Sequence, residues 1–242
     1  MHFHNTVLPK LKVHDSLILS RVEISEKTKS ILGRIEAKEC RLNRVKALGN
    51  ISLKNTNAER VHSKTGTIEW VQDRSQSPIH PVIFGNMKIT LWYTDAALVR
   101  SDGGNVELHC CDAKEISSKQ YVMLSNSDTE KVSGLLVFAK DGTHNSILAK
   151  RRITLQNATV KEAVCLKGCL EADGSSVDLV NCQQSLKTYG AANPNSFKIV
   201  NLYVDPSSPG TIELTRLDEI EELKIHPIVQ IAPGDPKPKI TV

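Results

Sequence analysis

The feature that most constrains this chain is a repeat of 16 or 17 residues, plainest in Ile51 to Thr67, ISLKNTNAERVHSKTGT. Aligned on Ile51, an apolar column runs Ile35, Ile51, Ile68, Ile89, Val106, Val122, Phe138, Ile153 and Leu170, at steps of 16, 17, 21, 17, 16, 16, 15 and 17. A second column, ten residues on in most units, runs Val45, Val61, Val82, Val99, Ile116, Val132, Leu148, Val164 and Val180. With only 40% apolar residues in the chain, two columns that keep step through nine units mark a structural period.

Two residues after the first column stand Ala37, Leu53, Trp70, Leu91, Leu108, Leu124, Lys140, Leu155 and Ala172, so i and i+2 share a face, as on a strand; Lys140 interrupts the column. Five residues after it stand Cys40, Thr56, Asp73, Thr94, Cys111, Ser127, Thr143, Ala158 and Ser175, small or polar residues of the kind a tight corner wants. The pattern predicts an all-β chain, a single-stranded β-solenoid (β-helix) of nine rungs stacked at about 4.8 Å. A helical-repeat array needs units of about 33 residues or more. Gly49-Asn50, Gly66-Thr67 and Gly103-Gly104-Asn105 are turn chemistry placed just before strands. An ordinary β-sandwich is the remaining alternative.

Three segments follow. Residues 1–15 read as an N-terminal cap whose Pro9 confines any strand to an edge; 16–190 as the solenoid, with a degenerate first rung from Leu17 to Leu32; and 191–242 as a C-terminal capping segment. In the last, Phe197 to Val204 alternates as a strand and TIEL makes another. Leu217 to Ile225 has the spacing of a short amphipathic helix with Thr215 as N-cap, and a loose proline-rich tail runs from Ala232. The third unit holds four extra residues within QDRSQSPIHP, which bulge as a loop.

The net charge of +4, from 31 basic and 27 acidic residues, is too slight and too scattered along the sequence to indicate a nucleic-acid partner. No apolar run reaches the roughly 18 residues of a membrane-spanning helix, and the start lacks the pattern of a leader. The chain as given is therefore expected in the cytoplasm, with non-classical export leaving the same trace. The six cysteines are expected to be reduced and mostly buried as small apolar fillers.

No catalytic residue can be assigned: G-x-S-x-G, the phosphate-binding loop and G-x-G-x-x-G are all absent, which leans the chain away from enzymes. Neither a cofactor nor a metal is expected. His109-Cys110-Cys111-Asp112 has ligand types at adjacent positions that face opposite ways on a strand, and Cys165, Cys169 and Cys182 lack paired spacings. The binding candidates are Arg74 and His80 in the inserted loop, with Trp92 as an outward aromatic nearby.

Between Ile35 and Val180, GNISLKNTNAERVHSKTGTIEW and RITLQNATVKEAVCLKG give the chain an architecture similar to that of the bacterial bactofilins and putative-adhesin β-solenoids. That resemblance implies a structural role, with association to itself or to a protein partner, and supplies no functional residue. Two functions are expected: a non-enzymatic structural or interaction protein, or a carbohydrate-binding or carbohydrate-cleaving β-helix that uses a groove beside the Arg74 to Pro81 loop.

Overall fold

The computed structural model describes residues 1–73, 80–182, 185–189, 197–204 and 220–227, and among these every regular element is a β-strand. The strands pair in parallel with the equivalent strand of the next turn, which makes the chain a β-solenoid. It divides into two compact units, Met1–Asp128 and Thr129–Val242.

In the first unit Ile35, Ile51, Ile68, Ile89, Val106 and Val122 pair one after another, so the first column of the sequence is a physical ladder. The inward residues of a rung fall at i, i+2, i+5, i+7, i+10 and i+12. Ile51, Leu53, Thr56, Ala58, Val61 and Ser63 are all buried, and so are their counterparts Val106, Leu108, Cys111, Ala113, Ile116 and Ser118. A gap of two is the pleat of a strand. A gap of three puts two successive residues outside and bends the chain, so each rung has three short sides. The same spacing runs through the second unit as Ile153, Leu155, Ala158, Val160, Ala163 and Cys165, then Leu170, Ala172, Ser175, Val177, Val180 and Cys182.

In most rungs the corner between sides one and two is made by one left-handed residue. Asn5, Arg21, Glu39, Asn55, Tyr93, Cys110 and Asn126 have φ between 46 and 55°, as do Asp141 and Asn157 in the second unit. Asn tolerates this conformation best of the residues with a Cβ. The small polar residue that follows closes the corner. Val22 N–H donates to Cys40 Sγ (3.4 Å), and Cys40 S–H donates to the Lys38 carbonyl (3.1 Å). Cys40 N–H in turn donates to Thr56 Oγ1 (3.3 Å), and Cys111 N–H to Ser127 Oγ (3.1 Å). Cys40 and Cys111 thus serve as hydroxyl-like corner groups, more than the apolar fillers expected. Replacing Asn55 with Ala is expected to lower stability by about 1 kcal/mol while Asn55→Gly stays near neutral, as read from urea midpoints.

Register corrects the sequence at several points. Ile83, not Val82, pairs with Val61 and Val99. In the second unit Val137 and Ala139 are buried where Phe138 and Lys140 were expected, Ile147 is buried in place of Leu148, and Ala163, not Val164, pairs with Val180. Each error is one residue, because an apolar neighbour stood next to the true inward position and only pairing with the adjacent rung settles the phase.

The described residues make about eleven turns. Residues 1–15 supply one of the additional turns. His2–His4 and Val7–Val13 pair with the following strands, and Phe3, Leu8, Leu11 and Val13 keep the inward spacing while half-buried. Pro9 sits where that pairing shifts register.

The pairing also continues beyond Val180, through Ser185–Tyr189, Phe197–Val204 and Ile220–Pro227. Ile220–Pro227 is a strand where the sequence predicts a helix. Ile220, Leu223 and Ile225 pair with Phe197, Val200 and Leu202, which places them at i+7, i+10 and i+12. Gaps of three and two suit this coil as well as one face of a short helix, and the neighbouring strand decides between them. TIEL, Thr215 and the tail lie outside the described residues.

Candidate functional site

Of the predicted binding residues, Arg74 lies outside the described residues and His80 is exposed. Trp92 points outward from side one at 37% exposure, as expected. Its ring stacks on His109 of the next rung at 3.9 Å and 14°.

Trp92 belongs to an outward column, Val71, Trp92, His109 and Ser125, that the register aligns over four strands. His109 is held below the usual imidazole range, first by burial, so it is neutral at physiological pH. The column therefore carries no charge. Beside it, Lys88 pairs with Glu107 at 2.7 Å. The resulting surface is flat, aromatic at its centre and rigid, because side one is hydrogen-bonded to the rungs above and below.

A second feature of the first unit escaped the sequence. A groove of about 330 Å³ opens where side two bends into side three, lined by Glu23, Ser25, Arg41, Asn43, Asn57 and Glu59 over the inward Ile24, Leu42 and Ala58. The strand Glu23–Ser30 carries an irregularity between Ile24 and Lys27, at one end of the groove. Asn43 and Asn57 each keep a buried carboxamide oxygen that no donor reaches among the described residues. A chain-order reading cannot see this site, whose polar residues come from three rungs.

Catalytic chemistry has less to build on. Asp112, whose carboxyl is pushed up by burial, is engaged in a corner: its N–H donates to Asp95 (3.0 Å) and its Oδ1 accepts from Asp128 N–H (3.3 Å). No disulfide joins the six cysteines. Burial pushes Cys111 up to about 12, and Cys165 is raised by contact with the Cys182 thiol and by burial. These thiols are poor nucleophiles. Among the described residues no three His, Cys, Asp or Glu side chains are grouped to hold a metal, and no helix is long and apolar enough to cross a membrane.

Fold and surface together define the class: a three-sided parallel β-solenoid whose outward side chains form columns. Comparison with family models, curated proteins and solved structures gave no match.

Proposed function

We propose that this chain is a non-enzymatic structural or interaction protein that presents its flat sides to a protein partner or to a second copy of itself. The observation that carries this is the uncharged Val71, Trp92, His109 and Ser125 column, with a stacked aromatic pair on a rigid sheet. Aromatic side chains held in place lose little entropy on association and contribute strongly to interfaces. On this reading the chain works as the bactofilin-like or adhesin-type solenoids are expected to, as a bacterial scaffold.

The test is sedimentation velocity over a range of concentrations, with intrinsic fluorescence alongside. The chain has two tryptophans and Trp70 is fully buried, so a change in emission on association reports Trp92. Association that Trp92→Ala abolishes is the expected result. A constant particle mass, with Trp92 emission that responds to no protein or peptide offered, overturns it.

A carbohydrate-binding alternative is favoured by the groove at Asn43 and Asn57; most of the Arg74 to Pro81 loop lies outside the described residues.

A further inference from the structure

The net charge of +4 conceals a segregation that only the register brings out. On side three of the first unit Lys10, Lys27, Arg44 and Arg60 pair across four successive strands, and two residues on, Lys12, Lys29, Lys46 and His62 do the same. Rungs repeat at about 4.8 Å and alternate residues at about 6.6 Å, so seven Lys and Arg side chains share a strip about 14 Å long and 7 Å wide. None of the seven has an ion-pair partner among the described residues. Their neighbours in the ladder are like charges, which destabilise a sheet. Nothing in packing requires them, since all seven face outward, and neutral polar residues would serve the fold better.

The strip borders the groove. Along the strand Arg41–Ala47, Arg41 and Asn43 line the groove and Arg44 and Lys46 belong to the strip; Asn57–Ser63 repeats this with Asn57 and Glu59, then Arg60 and His62. A ligand that spans both would bring anionic groups to the strip and hydrogen-bond donors to the Asn43 and Asn57 oxygens and the Glu23 and Glu59 carboxylates. We propose that side three and its groove bind an acidic polysaccharide, whose carboxylate or sulfate groups lie on the basic columns and whose hydroxyls donate into the groove. A linear polymer suits a straight ladder. Single-stranded nucleic acid would want aromatic platforms among the cations, and the strip has none before Phe84, beyond His62 at its end. This inference deepens the carbohydrate-binding alternative and is independent of the Trp92 column, which lies on another side.

The test is binding of the full chain to polygalacturonate and to heparin, with neutral dextran, a single-stranded oligonucleotide and phosphatidylserine vesicles as comparisons. The acidic glycans are expected to bind, with affinity that falls as salt rises, and dextran not to. Lys27→Glu, Arg44→Glu and Arg60→Glu together should weaken glycan binding about a hundredfold, and the three Gln equivalents, which guard against a folding defect, about tenfold. Asn43→Ala with Asn57→Ala should weaken the glycan several-fold and leave the oligonucleotide unchanged, while Trp92→Ala leaves glycan affinity intact. The inference is overturned if neither acidic glycan binds, or if the Gln variant binds as the parent does. Equal or tighter binding of oligonucleotide or vesicles, with the Asn variant indifferent, also overturns it and makes the strip a nucleic-acid or membrane surface.

Discussion

Replacing Trp70 with alanine is expected to cost about 3–5 kcal/mol, the range for a large aromatic removed from a closed core. Trp70 is fully buried and stands in the side-one ladder between Leu53 and Leu91. The interior of a solenoid is only one rung deep in each direction. Its neighbours are fixed by backbone hydrogen bonds at the rung spacing, so little collapse into the cavity is open to it. The indole N–H of Trp70 finds no acceptor among the described residues. Trp70→Phe, which removes that orphan donor along with part of the volume, should cost less than half as much. The same truncation at exposed Trp92 should move stability by under about 0.5 kcal/mol. Urea unfolding of the three variants measures these differences, and near-equal midpoints for Trp70→Ala and Trp92→Ala would refute the burial assigned here.

Gly66→Ala is expected to cost about 3 kcal/mol, at the upper end of overpacking penalties. A Cβ at Gly66 would stand 2.3 Å from the Gly49 carbonyl carbon and 2.4 Å from Asn50 N. Those atoms are backbone of the preceding rung, and Asn50 holds Thr67 N–H through its side chain at 3.0 Å. Neither can withdraw without opening the stack. Gly85→Ala makes the contrast: its Cβ would meet Ile89 Cγ1 at 3.1 Å, a side-chain atom that can turn aside. Its expected loss is below about 1 kcal/mol. Thermal melts followed by circular dichroism separate the two, and an equal loss would mean that rung spacing yields more readily than the backbone contacts indicate.

Function divides along the same line as stability. A resemblance in architecture, quoted from turn and ladder residues, carried no functional residue with it. Trp92 was visible because an aromatic next to an inward leucine has to face out. Its partner His109 was not, since 17 residues separate them and only the rung-to-rung register stacks the rings. Arg74 and His80 drew notice because an insertion breaks the period. The groove at Asn43 and Asn57 interrupts nothing and so left no mark in the sequence.

By itself the sequence determined the period, the parallel coil and most of its inward ladders, together with the small polar residues that close the first corner. These are legible because a repeated rung repeats its chemistry at a fixed step. Tertiary structure alone decided the phase at Ile83, Val137, Ile147 and Ala163, and it made a strand of Ile220–Pro227. It also decided that Lys10, Lys27, Arg44 and Arg60 form one column. The reason is physical: a slip of one residue sends every side chain of a strand to the opposite face, and the hydrogen bonds that forbid the slip come from the neighbouring rung.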